Sequence, residues 1–262
     1  MPTVPRAFGM LAALALTLAA GTSGAQTAPA IAVAENVKFA IEELAAAFKR
    51  ESGRDLRIAT GSSGKFVQQI RQGAPFELFL SADEESVFRL ADAGLTRDRG
   101  VVYAAGRLAI FAPHGSPLVP DAALAGLKSA LAAGTIKRFA IANPEVAPYG
   151  QRAVEALTHA GLWPALKPHI VMGENIAQAA QFASSGSTEG GIIALSLALA
   201  PELARRGRYA LIPAGWHKPL AQRMVLMKNA GAAAEAFYRY LQTPAAHAVF
   251  AQHGYTVPSP GG

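Results

Sequence analysis

The chain has 262 residues, 51% of them hydrophobic and only 16% charged, with a formal net charge of +6. This excludes disorder as the default and leaves room for one large or two medium domains. Cysteine is absent, so disulfides, thiolate metal sites and cysteine nucleophiles are excluded. The cations are scattered apart from Arg205–Arg206–Gly207–Arg208, and no basic stripe interleaved with aromatics predicts a nucleic-acid groove.

At the N-terminus, Arg6 precedes an apolar run from Ala7 to Ala20, and Ser23-Gly24-Ala25 places small residues at the −3 and −1 positions of a cleavage site. The run is short for a membrane span, which needs about 20 apolar residues. Residues 1–25 read as a secretory signal peptide cleaved after Ala25, and the expectation is an exported protein. The later apolar segment Gly191–Ala200 is also short and stops at Pro201.

Short β-rich runs then alternate with helical patterns. Ile31–Ala34 reads as a strand, followed by a helix over about Val37–Lys49 with Ile41, Leu44 and Phe48 on one face. Asp55–Ala59 is the next strand, and a helix opens at Gly64 with Phe66, Val67 and Ile70. Phe76–Ser81 precedes a helix at Glu84–Ala93. Strands are predicted at Arg107–Ala112, Phe139–Ala142, Gly191–Ala194, Tyr209–Ile212 and Arg223–Met227. Helices are predicted near Gln151–Ala160, Asn175–Ala183, Ala232–Leu241 and Ala245–Gln252. The alternation implies an α/β fold with mostly parallel sheets.

Four strand-to-helix turns carry the chemistry: Ala34-Glu35-Asn36, Gly61-Ser62-Ser63-Gly64, Ala147-Pro148-Tyr149-Gly150 and Gly173-Glu174-Asn175-Ile176. Each offers unpaired backbone N–H groups at the positive end of a helix dipole. Converging beyond the carboxyl ends of the strands, they would form a donor-lined oxyanion pocket. Any one of them alone is more often a helix cap than a ligand site; the signal is the set. The second turn is not a P-loop, because Ala59 and Phe66 replace the required glycine and hydroxyl residue, and Lys65 reads as a solvated side chain. No nucleophile elbow is present, and the six histidines lack the H-x-x-x-H spacing of a helical metal site. No directly bound metal and no cofactor are expected.

These turns, in this order, resemble the periplasmic molybdate-binding proteins of ABC transporters. The likeness runs from about Ile31 to Val257 and is carried by VAENVKFAIEELAAAFKRESG (33–53), GSSGKFVQQIRQGAPFELFLSAD (61–83), IANPEVAPYGQRAVEAL (141–157), GENIAQAAQF (173–182) and the closing FYRYLQTPAAHAVFAQHGYTV. The resemblance implies a two-domain clamshell, with 26–106 and 217–262 in one domain and 107–216 in the other. It places the ligand residues at Asn36, Ser63, Tyr149 and Ile176, the last through its backbone N–H. Many members have Ser where this chain has Asn36, and a phenol where it has Ala194. Tyr149 can supply that phenol, and the chain sorts with a branch using the Asn-plus-Tyr arrangement.

The implied ligand is molybdate, with tungstate alongside, and molybdenum or tungsten enters only as the tetrahedral oxyanion. The implied partner is a permease with its ATPase, the protein acting as a monomer and not as an enzyme. Fully deprotonated dianions only accept hydrogen bonds, so an all-donor site suits them; Glu35 is expected to turn outward while Asn36 faces the ligand. Two alternatives stay open: a binding protein for another tetrahedral oxyanion such as sulfate, and an exported hydrolase using Ser63 as nucleophile, which requires a histidine within reach of its Oγ.

Overall fold

The computed structural model describes residues 1–3 and 28–258. Nearly all of the signal peptide read over 1–25, with its cleavage point at Ala25, lies outside the described residues. The first part of the chain forms β1 (Ala30–Ala34), a 3-10 turn (Glu35–Val37), α1 (Lys38–Ser52), β2 (Arg57–Gly61), α2 (Ser63–Arg71), β3 (Leu78–Leu80), α3 (Glu84–Asp92) and β4 (Val101–Gly106). Next come β5 (Leu108–Pro113), α4 (Ala125–Ala132), β6 (Phe139–Ala142), α5 (Pro148–His159), α6 (Trp163–Leu166), β7 (Ile170–Gly173) and α7 (Ile176–Ser184). The chain closes with β8 (Gly191–Ala194), α8 (Leu195–Ala198), α9 (Pro201–Ala204), β9 (Gly207–Leu211), β10 (Leu220–Leu226), α10 (Ala232–Tyr240) and α11 (Pro244–Gln252).

Two five-stranded sheets result. The first has the order β2-β1-β3-β10-β4 and the second β7-β6-β8-β5-β9. In the first, β1 runs parallel to β2 and β3, and β10 lies antiparallel between β3 and β4. In the second, β6 runs parallel to β7 and β8, while β5 is antiparallel to β8 and β9. The chain leaves the first sheet at Gly106, enters the second at Leu108, and returns between Leu211 and Leu220.

Side-chain alternation in β1 explains the layering of the first sheet. Ile31 and Val33 pack with Ile41, Leu44 and Phe48 of α1 and with Phe237 and Phe250 of the closing helices. Ala32 faces the other way, onto Phe66, Val67 and Ile70 of α2 and Leu90 of α3. A strand buried on both faces reads as a continuous apolar run, as AIAVA does. The second sheet has its own core, with Phe111, Phe139, Ile141, Leu157 and Ile192 all fully buried.

Six elements carry no clear signal in the sequence: β4, β7, α4 and the four-residue helices α6, α8 and α9. β4 (VVYAAG) runs into β5 with only Arg107 between them, so the pair reads as one apolar stretch. β7 is an edge strand of four residues, three of them partly exposed, and too short to show alternation. In α4 the alanines blur the contrast between its buried and exposed faces.

The strand register positions the four turns. Ala34 pairs with Gly61 at the carboxyl ends of β1 and β2, so the Asn36 and Ser63 turns start side by side. Ala142 pairs with Gly173 at the ends of β6 and β7, which does the same for the Tyr149 and Ile176 turns.

Candidate functional site

All four turns meet at one cavity of about 10 Å³, whose lining includes Asn36, Ser62, Ser63, Ala82, Tyr149 and Ile176. That volume holds roughly one water-sized sphere, so as closed here the site has no room for an organic solute. The backbone N–H groups of Ser63, Tyr149 and Ile176 lie in the first turns of α2, α5 and α7, where no intrahelical carbonyl reaches them. No loop carbonyl takes them either among the described residues. Asn175 caps α7 through its side chain on the Gln178 N–H (2.9 Å), leaving the Ile176 N–H for another acceptor.

Two hydroxyls add to these donors. Ser63 is buried, and its Oγ accepts the Ala82 N–H at 3.0 Å while its own proton has no acceptor among the described residues. Tyr149 is buried with its Oη receiving Gln222 Nε2 at 3.2 Å and with Asn36 Nδ2 lying 3.5 Å away; its own proton likewise has no acceptor among the described residues. Burial, then the neighbouring Tyr255 and Tyr103 hydroxyls, push the Tyr149 phenol well above its ordinary pKa, so it remains a proton donor. Ser62 Oγ is buried and has no partner among the described residues either. The nearby carboxylate of Asp83 is turned away, taken up by Ser81 Oγ (2.9 Å) and the Ser86 N–H (3.1 Å) at the start of α3.

Asn36 differs from the expectation. Its Nδ2 donates to Gln222 Oε1 and Tyr255 Oη, both at 3.0 Å, so the amide protons are engaged with protein oxygens. Its Oδ1 is buried without a partner. What Asn36 brings to the cavity is its place in the 3-10 turn, whose first N–H groups are unpaired. Glu35 is half-buried and also lines the cavity, with no ion pair among the described residues. Ala194 is fully buried, and Tyr149 is the phenol at this site.

Sequence reasoning missed the residues behind Asn36 and Tyr149. Tyr103 donates to Gln222 Oε1 at 2.9 Å, and Tyr255 and Ser196 donate to the Asn36 carbonyl at 2.6 and 2.9 Å. Only a lone buried polar residue inside an apolar strand, such as Gln222 in LAQRMVL, could have hinted at them.

A family model described as bacterial extracellular solute-binding protein matches residues 30–256. The chain belongs to that family. The molybdate-binding protein ModA of Rhodobacter capsulatus is 34% identical over 246 residues, covering 93% of this chain and 94% of the relative. Its namesake in Azotobacter vinelandii is 34% identical over 251 residues, covering 94% and 97%. The solved Azotobacter vinelandii periplasmic molybdate-binding protein matches with a TM-score of 0.80 at 30% identity, covering 88% of this chain and 100% of the other. The architecture is thus the two-domain clamshell of the periplasmic binding proteins.

In this solute-binding protein the clamshell is shut across the cavity. The Gly64 N–H at the start of α2 donates to the Val146 carbonyl just before α5 at 2.9 Å. A Cβ on Gly64 would lie 2.6 Å from that oxygen, so the approach requires glycine. Lys65 pairs with Glu174 across the same seam, where a solvated side chain was expected. No histidine lines the cavity, and Ser63 Oγ contacts no base among the described residues.

Proposed function

We propose that this solute-binding protein captures molybdate, and tungstate with it, between its lobes and hands the anion to an ABC-transporter permease driven by its ATPase. The observation that carries the reading is the donor set. Helix-start N–H groups from both sheets, with the unspent protons of Ser63 and Tyr149, surround one small cavity. The relatives named as molybdate-binding proteins narrow the choice of anion.

In this reading Asn36, Ser63, Tyr149 and Ile176 hold the ligand, and the Glu35 carboxylate points away from it. Residues 26–106 with 217–262 form one lobe and 107–216 the other. The mature protein is a periplasmic monomer, needs no cofactor, and makes or breaks no bond. A hydrogen bond to a charged group contributes about 1.5–3 kcal/mol. Micromolar affinity needs about 8 kcal/mol, which roughly five to seven donors supply after the cost of association. The hydrolase alternative lacks support, because Ser63 has no base to take its proton.

Titrating the mature protein with molybdate, tungstate, sulfate and phosphate, followed by heat or intrinsic fluorescence, tests the reading. Tight binding of molybdate and tungstate is expected. Tight binding of sulfate without molybdate would overturn it.

A further inference from the structure

Gln222 sits in the middle of β10, fully buried, and belongs to the first sheet; Tyr149 heads α5, which packs on the second. The Gln222 carboxamide is held from both sides. Its Oε1 accepts Tyr103 Oη–H at 2.9 Å and Asn36 Nδ2–H at 3.0 Å, which leaves Nε2 to donate to Tyr149 Oη at 3.2 Å. Asn36 Nδ2 stands 3.5 Å from Tyr149 Oη, but its two protons are taken by Gln222 Oε1 and Tyr255 Oη at 3.0 Å. A phenol oxygen has one proton and two lone pairs. With one lone pair taking the Gln222 Nε2 proton, the phenol's own proton is directed away from Gln222.

Space for this meeting is made at Gly106, the last residue before the chain crosses to the second sheet. A Cβ there would lie 2.1 Å from Tyr149 Oη and 2.8 Å from Gln222 Nε2. Amide donation into the phenol oxygen also polarises its O–H bond, strengthening it as a donor in a buried, low-dielectric site.

We propose that Gln222 is a positioning residue for anion capture: as the lobes close, its Nε2 docks on Tyr149 Oη and turns the phenol proton into the cavity. The inference rests on the reading of that cavity as an oxyanion site. Gln222 does not touch the ligand; it acts through Tyr149, and its contribution exists only when both lobes are together.

A double-mutant cycle with Tyr149→Phe tests it, using molybdate affinity as the readout and the unligated thermal midpoint as a check on folding. Gln222→Met keeps the volume and removes the amide; molybdate affinity is expected to fall about tenfold in the parent and to change little in the Tyr149→Phe background. Gln222→Glu, isosteric but placing an acceptor where Nε2 donates, should lose at least as much affinity as Tyr149→Phe, because the carboxylate takes the phenol proton. Gln222→Leu, which also removes the amide without adding a charge, serves as the cycle partner should Gln222→Met fail to fold. Additive losses, or Gln222→Glu binding like wild type, would overturn the inference while leaving the oxyanion site standing. Wild-type protein that binds none of the four oxyanions would overturn both, and the two failures differ in the first titration.

Discussion

Replacing Gly64 by alanine should weaken anion binding while leaving the unligated protein as stable as before, or slightly more so. In the closed form the new Cβ would stand 2.6 Å from the Val146 carbonyl oxygen and 2.9 Å from its Cα. Both are backbone atoms and cannot swing aside, so reaching ordinary contact at 3.4 Å means opening the seam by 0.8 Å at that oxygen. Overpacking of this kind costs about 1–3 kcal/mol, and weakening the Gly64 N–H to Val146 bond adds about 0.5–1.5 kcal/mol. A total near 1.5–4.5 kcal/mol corresponds to roughly a 10- to 1,600-fold rise in Kd. With the lobes apart the clash is absent, and alanine favours a helix over glycine by up to about 1 kcal/mol. The two effects have opposite signs, which separates a closure defect from a folding defect. Calorimetric titration with molybdate gives the affinity, scanning calorimetry the unligated midpoint, and small-angle scattering the compaction on binding. Wild-type affinity in Gly64→Ala would refute the premise that binding brings α2 against Val146.

Ser63→Ala removes one donor to a dianion, so affinity should drop about 10- to 100-fold in the same titration. It also strands the buried Ala82 N–H, lowering the unligated midpoint by about 2–4 °C. Gly106→Ala, which pushes a methyl into Tyr149 Oη, should cost about tenfold or more in affinity, read by fluorescence. The Lys65–Glu174 pair is largely exposed, at 41% and 58%, so Lys65→Ala should change affinity less than about fivefold, and less still in high salt. Burial above all lowers the pKa of His217, the Lys218 carbonyl and Glu155 opposing it only in part, with Arg152 and Arg107 adding to the lowering. The folded state therefore favours the neutral ring: the associated stability is complete above the unfolded value of about 6.5 and is lost as pH falls below it toward the folded value. The thermal midpoint should decline from pH 7 toward pH 5, and His217→Gln should flatten that part of the curve.

The elements that build the cavity were the legible ones, and for a physical reason. A strand buried on both faces gives an unbroken apolar run, and a helix start needs small or polar residues, so Ile31–Ala34 with Asn36 and the Gly61–Gly64 turn announce themselves locally. β4 and β7 did not, since one merges with β5 across Arg107 and the other is a four-residue edge strand. Register, which brings Ala34 beside Gly61 and Ala142 beside Gly173, is a property of pairing between distant segments and has no local signature. Tyr103, Gln222 and Tyr255 are hidden for the same cause: 33 residues or more separate any two of them in the chain, and only the fold makes them neighbours of Asn36.

This also explains why no single motif betrays the ligand. A site for a fully ionised oxyanion needs donors, and the cheapest donors in an α/β protein are the N–H groups that every helix start leaves unpaired. Backbone donors are supplied by conformation, so they constrain residue type only where a carbonyl or phenol comes close, as at Gly64 and Gly106. The side chains proposed to join them are single hydroxyls, those of Ser63 and Tyr149, indistinguishable in isolation from a cap and a core aromatic. What separates them from those roles is the direction of one proton. Each oxygen is already an acceptor, from Ala82 N–H in one case and Gln222 Nε2 in the other, so each is left with a hydrogen to give. Substitutions that reverse such a bond, as Gln222→Glu does, should therefore cost more affinity than substitutions that merely delete it.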